Sequence, residues 1–181
     1  MNQAVHEFAG FARLFSEWAE GEPQAPVEEV RVALCHLNAL YRAALFLPDA
    51  FGPEDGEQVS TESKRQMFRR FGVLPFNYYS NCFDPLVVPG EEPVVADVAD
   101  DLSDIWRDLK DGLWLYDAGH ENAACWQWRQ SFYSHWGHHA VGAMYALHCW
   151  MAGNQDVVPS NPPLHPTLRA GERQRYVART A

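Results

Sequence analysis

The sequence predicts an all-α protein, a helical bundle of four main helices plus one short helix. Two observations predict this fold class. In four long segments the apolar residues recur every three or four positions, which is the period of an amphipathic helix, and no two strand-like segments are joined by hairpin turn chemistry. The chain has 181 residues, of which 47% are hydrophobic, so it is long enough for one domain with a buried core.

Residues that commonly begin or end helices bound each predicted element. The first helix covers about residues 3–20 and ends at the sequence GEP, and the second covers residues 26–48 between two prolines. A short basic helix follows at residues 61–71. The fourth helix covers residues 97–117, with a glycine shortly after its end.

The fifth helix is predicted over residues 122–152, and its length implies a bend. At 1.5 Å per residue it would be ~46 Å long, which exceeds the ~38 Å across expected for a compact body of this size. We expect the helix to bend or break at Gly137 or Gly142.

The aromatic and proline-rich segment 73–95 precedes the fourth helix, and we expect this long loop to form an ordered cover on the bundle.

Composition predicts where the domain ends and which partners it excludes. Residues 1–153 form the predicted helical domain, and residues 154–181 form a basic, proline-containing tail that we expect to be mobile and disordered. The net charge of −10 argues against nucleic acid as a partner. The first residues lack the features of a secretory signal, and the most apolar stretch is too short to span a membrane. We therefore expect a cytoplasmic protein that does not insert into membranes.

The fourth predicted helix carries five aspartates spaced four, three, four and three residues apart, which places their carboxylates along one flank. They are Asp97, Asp101, Asp104, Asp108 and Asp111. One interpretation is a solvated face that Arg107 and Lys110 interrupt. The other is that Asp101, Asp104 and Asp108 turn inward and bind a hard divalent cation or a cationic group.

The last predicted helix carries two histidines one turn apart, His135 and His139, on the same predicted face as Trp128. Two imidazoles at this spacing chelate Zn²⁺, Fe²⁺ or Ni²⁺ when another helix supplies a third ligand. The alternative is that each histidine only hydrogen-bonds to an aspartate of the fourth helix. Arg129, near the same face, is a candidate partner for the aspartates Asp104 or Asp108, either in the site or as a structural salt bridge.

Long stretches of the sequence resemble one family. They are LYRAALFLP, NYYSNCFDP, ADDLSDIWRDLKDGLWLYDAG and CWQWRQSFYSHWGHHAVGAMYALH. Together they resemble the bacterial domain-of-unknown-function family numbered 5063, over about residues 5–150. The matching positions are Asp100, Asp101, Asp104, Arg107, Asp108, Trp128, Arg129, His135, Trp136, Gly137 and His139. The resemblance implies a small bacterial cytoplasmic helical protein with no established activity, and it does not extend to the arginine-containing tail.

Two functional hypotheses follow from these residues. The first is a module that binds a small molecule or a partner protein in a polar cleft between the two last predicted helices. Its predicted ligand-binding residues are Asp101, Asp104, Arg107, Asp108, Trp128, Arg129, His135 and His139. The alternative is a metal-dependent hydrolase of phosphate esters or nucleotides, with one divalent metal ion held by His135, His139, Asp101, Asp104 and Asp108. The sequence contains none of the common nucleotide-binding or zinc-protease motifs, and it leaves open whether the protein is an enzyme.

Overall fold

Most of the described chain is helical, as the sequence predicts. A computed structural model describes residues 2–52, 56, 58–82, 84–90 and 92–156. Of the predicted mobile tail, residues 157–181 lie outside this part of the chain, as does Phe83 of the aromatic loop. The helices are α1 (Gln3–Glu20), α2 (Pro26–Ala44), α3 (Thr61–Phe71), α4 (Val98–Asp117), α5 (Glu121–Ser131) and α6 (Gly137–Gly153).

Local signals in the sequence account for the helix boundaries. The side chains of Asn2 and Ser60 accept backbone N–H groups at the starts of α1 and α3, and Pro26 is the first residue of α2. Helix α2 ends at Ala44, earlier than the sequence predicts, and the next two residues, Leu45 and Phe46, form a turn with exposed side chains. Among the described residues, no helix combines the length and the apolar character needed to cross a membrane.

Helix α4 packs against α1, α3, α5 and α6. Its buried apolar face includes Leu102, Ile105 and Leu109, each with no exposed surface. Burial of this face stabilises the fold through the hydrophobic effect, at ~1.5–3 kcal/mol for each large side chain. Because α4 touches four other helices, the polar edge beside its apolar face lies where several helices meet.

The aromatic and proline-rich segment, which the sequence predicts as a loop, contributes to a small strand pair without hairpin turn chemistry. Strands β1 (Tyr78–Asn81) and β2 (Val94–Asp97) form a small antiparallel sheet, in which Tyr78 pairs with Asp97. Residues 82–93 connect the strands, so the two-residue turn that identifies a hairpin in a sequence is missing. Asp97 is the last residue of β2. It is also the N-cap of α4, since its side chain accepts the backbone N–H of Asp100.

The last predicted helix is divided in two. A π-helical turn, Phe132–Trp136, joins α5 to α6, which begins at Gly137, one of the two positions where the sequence predicts a bend or break. The carbonyl oxygen of Phe132 approaches Gly137 so closely that a Cβ there would overlap with it. Glycine therefore permits the tight backbone packing of this turn.

Candidate metal centre

Three of the aligned aspartates of α4 are buried. Asp101, Asp104 and Asp108 are each about 5–6% exposed, while Asp100 is half-exposed. Buried carboxylates require charge partners or hydrogen-bond donors, since an unpaired buried charge is strongly unfavourable. The interpretation as a purely solvated face is therefore wrong for these three residues.

The two histidines provide partners for two of these carboxylates. His135 Nδ1 lies 2.8 Å from Asp108 Oδ2, and His139 Nδ1 lies 2.7 Å from Asp101 Oδ1. An ionised carboxylate only accepts hydrogen bonds, so each Nδ1 carries the proton and donates it. In the neutral imidazole this leaves Nε2 with the lone pair that a metal ion binds.

Asp104 has cationic partners instead of a histidine. Lys64 Nζ of α3 lies 2.8 Å from Asp104 Oδ1, and the Arg107 guanidinium lies 3.0 Å from the same oxygen. Lys64 also lies 3.3 Å from Asp100 Oδ1. Burial alone would lower the pKa of Lys64, but the carboxylates of Asp104 and Asp100 outweigh it and raise the pKa, so Lys64 is charged at neutral pH.

Possible ligand atoms of Asp104, His135 and His139 lie close together. The imidazole centroids of His135 and His139 are 4.7 Å apart, and one ligand atom from each of Asp104, His135 and His139 lies within 4.8 Å of the other two. The two histidine side chains remain 36% and 27% exposed, so an ion from solvent can reach them. Two imidazoles and one carboxylate are a suitable ligand set for Zn²⁺, Fe²⁺ or Ni²⁺.

The pKa of His139 is raised. The largest cause is its hydrogen bond to Asp101, which stabilises the imidazolium, and partial burial opposes this effect without cancelling it. Protonation of Nε2 would remove the lone pair that a metal ion needs, so the protonated form of His139 is not a metal ligand.

Trp128 lies outside the site, contrary to the prediction. It is fully buried, and its Nε1 donates to the carbonyl oxygen of Leu109 at 3.1 Å. The π-helical turn explains the error. A π-helical turn does not keep the α-helical period, so His135, inside the turn, and His139, beyond it, do not keep the alignment with Trp128 that a continuous α-helix would give. Trp128 therefore belongs to the core while His135 reaches the aspartates of α4.

Arg129 also lies elsewhere, so its predicted pairing with Asp104 or Asp108 is wrong. Its guanidinium contacts Asp49 Oδ1 at 3.3 Å and lies 5.3 Å from the centroid of the Tyr133 ring. Asp49 and Arg129 border a surface groove of about 340 Å³ between α5 and the loop after α2. Arg107, which the sequence also names as a ligand-binding residue, contacts Asp104 Oδ1 at 3.0 Å.

Two residues of the site were not predicted. In the sequence, Lys64 belongs to the short basic helix at residues 61–71 and Tyr79 to the aromatic and proline-rich segment 73–95, and neither pattern points to this site. The hydroxyl of Tyr79 donates to Asp101 Oδ2 at 2.7 Å, and burial together with the nearby carboxylate of Asp101 raises its pKa. The unpaired charges of the aspartate series were a signal for a cation such as Lys64, but nothing in the spacing indicated which one.

Comparison with known proteins gives the family of the chain. A crystal structure of protein BF1032 from Bacteroides fragilis has a similar fold, with a TM-score of 0.69 and 24% sequence identity, over 91% of this chain and 97% of that one. The comparison with curated proteins finds no match. The family described as Domain of unknown function (DUF5063) matches residues 3–152. The chain therefore belongs to this family, as the sequence resemblance implied.

Proposed function

We propose that this protein is a binding module that holds one divalent transition-metal ion with Asp104, His135 and His139. One observation carries the proposal: every one of these three side chains is held by an outer partner. Asp108 hydrogen-bonds to His135, Asp101 hydrogen-bonds to His139, and two cations lie within ion-pair distance of Asp104. Outer partners of this kind orient metal ligands and fix the imidazole tautomer.

The chemistry of the three ligands favours transition metals over Mg²⁺ or Ca²⁺. Two of the three ligands are imidazoles, whereas Mg²⁺ and Ca²⁺ take oxygen ligands almost entirely. The alternative role is a hydrogen-bonded network that only fixes the register of α4 and α6. Such a network would satisfy Asp101 and Asp108, but it does not require Asp104 to lie within 4.8 Å of both imidazoles.

Titration of the chelator-treated full chain with Zn²⁺, Co²⁺ or Ni²⁺ tests the proposal, with calorimetry as the readout. We expect one ion per chain in the wild type. Removal of an outer partner typically costs about 10–100-fold in metal affinity. Removal of a ligand should cost more, so we expect His135→Ala, His139→Ala and Asp104→Ala each to lose more than roughly 100-fold. The matched control is His138→Ala, since His138 is exposed on the same helix and should bind the ion as the wild type does.

The melting temperature provides a second readout. A chelator should lower the melting temperature of the wild type and leave that of His135→Ala unchanged, because ligands of the native state stabilise it by mass action. The proposal fails if the wild type binds no ion stoichiometrically, or if His138→Ala weakens binding as much as the other variants do. In either case the cluster is a structural network.

A second candidate function is metal-dependent hydrolysis of a phosphate ester. The observation that favours it is the pair of cations, Lys64 and Arg107, beside the proposed ligand Asp104. Three protein ligands leave a coordination position for water or substrate, and Arg and Lys side chains bind phosphate oxygens. Turnover of p-nitrophenyl phosphate with added metal tests this candidate: activity should disappear in Asp104→Ala, and no turnover above the metal-only background would exclude this substrate.

A further inference from the structure

Tyr79 connects the small sheet to the proposed metal centre. Its hydroxyl donates to Asp101 Oδ2 at 2.7 Å, and the other oxygen of the same carboxylate lies 2.7 Å from His139 Nδ1. Both contacts are short and involve a buried carboxylate. A continuous chain of hydrogen bonds therefore runs from β1 through α4 to α6.

Gly142 provides the space for this contact. It lies three residues after His139, so the two residues are neighbours on α6. A Cβ at Gly142 would overlap with the hydroxyl oxygen of Tyr79. Because glycine has no side chain, the Tyr79 hydroxyl can pack directly against α6, the helix that carries His139.

The rest of the sheet does not share this attachment. Tyr78, the preceding residue, is 71% exposed, and Val95 of the paired strand is 77% exposed. In an antiparallel pair, successive side chains point to opposite faces, so Tyr79 points toward the helices while Tyr78 points away. Tyr78 is therefore a matched control for Tyr79, since it is also a tyrosine, lies in the same strand and is the adjacent residue.

We propose that Tyr79 is a positioning residue that couples the strand pair β1–β2 to the metal centre. Tyr79 fixes the carboxylate of Asp101, and Asp101 fixes the orientation of the His139 ring. This inference rests on the proposed function, since the quantity that it controls is the affinity of the ion. Coupling between two sites is reciprocal, so a bound ion also strengthens the attachment of the strand pair.

Cobalt titration of the full chain tests the inference, because the visible absorption spectrum of Co²⁺ reports its ligand geometry. Removal of an outer partner costs about 10–100-fold in metal affinity. Tyr79 acts one step further out, so we expect Tyr79→Phe to lose roughly threefold to tenfold and to shift the cobalt spectrum. Tyr78→Phe should retain the wild-type affinity and spectrum.

Hydrogen exchange measures the reciprocal effect. In the wild type, cobalt should slow exchange of backbone amides in β1 and β2, and Tyr79→Phe should weaken this protection. Gly142→Ala, which displaces the same hydroxyl, should resemble Tyr79→Phe in affinity and spectrum.

The outcomes distinguish a failure of the proposed metal site from a failure of the coupling through Tyr79. If the wild type gives no saturable cobalt spectrum, the proposed function fails and the coupling fails with it. If the wild type binds cobalt and Tyr79→Phe keeps both its affinity and its spectrum, the coupling is wrong while the metal site stands. Equal effects of Tyr78→Phe and Tyr79→Phe would also overturn the coupling.

Discussion

His139 Nδ1 lies 2.7 Å from Asp101 Oδ1, and this contact joins α6 to the first turn of α4. The hydrogen bond raises the pKa of His139 in the folded protein, although partial burial opposes it. In the unfolded chain the imidazole titrates near its ordinary value of ~6.5. The difference between these two pKa values links folding stability to pH.

The sign of this dependence follows from the direction of the shift. Because the folded-state pKa is raised, the stabilisation by protonated His139 is fully present below the unfolded pKa, and it is lost as the pH rises through the folded pKa. Urea unfolding of the metal-free wild type and of His139→Gln, measured from pH 5.5 to 8.5, checks this. The stability advantage of the wild type should shrink with increasing pH, and an advantage that grows with pH would contradict the prediction.

Asp108 should act on metal affinity through His135. Asp108→Asn keeps the shape of the side chain but removes the negative charge that holds the His135 ring, so we expect a loss of roughly 10–100-fold in Zn²⁺ affinity. The matched control is Asp111→Asn, on the same flank, whose carboxylate accepts the backbone N–H of Val59. Calorimetric titration should show near-wild-type affinity in the control, and equal losses in both variants would indicate a general charge effect.

Periodicity predicted the helices well because their burial is local and regular. The apolar stripe of α4, for example Leu102 and Leu109, repeats at helical spacing and is buried as expected. The same regularity brought His135 and His139 together on one side of the helix. Hydrogen bonds between these histidines and aspartates of α4 are one of the two alternatives that the sequence predicts, and the structure contains them.

Features that depend on long-range contacts or on irregular backbone were missed. The π-helical turn departs from the fixed 100° per residue of an α-helix, so the face predicted for Trp128 and Arg129 together with the histidines does not hold. Lys64 reaches Asp104 only because α3 packs on α4. Tyr79 reaches Asp101 because β1 pairs with β2, and these strands are joined by a long connection. The spacing of residues within one segment does not predict a contact between two segments.

Gly112 of α4 should tolerate no side chain. A Cβ there would overlap with the indole ring of Trp128, whose Nε1 is fixed by the carbonyl oxygen of Leu109. Overpacking a rigid core costs ~1–3 kcal/mol, so Gly112→Ala should destabilise the protein by about this amount in urea unfolding. Gly10→Ala is the matched control: its Cβ would meet nothing within 4 Å, and replacing a mid-helix glycine with alanine stabilises by ~0.5–1 kcal/mol. Destabilisation by the control alone would contradict the packing argument.

A buried ion pair between Arg70 and Glu29 links α3 to α2. Arg70 Nη1 lies 2.7 Å from Glu29 Oε2, and the side chains are 9% and 0% exposed. Trp18 Nε1 also donates to Glu29 Oε2 at 3.0 Å, and the Arg70 guanidinium lies 4.9 Å from the centroid of the Trp18 ring. Because Glu29 has no access to water, its negative charge depends on these partners.

Arg70→Met should therefore destabilise the protein strongly. Removing one partner of a buried pair leaves the other charge uncompensated, which costs ~3–5 kcal/mol. Arg69→Met is the control, since Arg69 pairs with Glu62 at the surface with both side chains largely exposed, and such pairs contribute only ~0–1 kcal/mol. Urea unfolding of both variants measures the difference. If Arg70→Met cost no more than Arg69→Met, the Glu29 carboxylate would have to be stabilised in the core by its remaining hydrogen bonds, and the ion pair would not hold α3 in place.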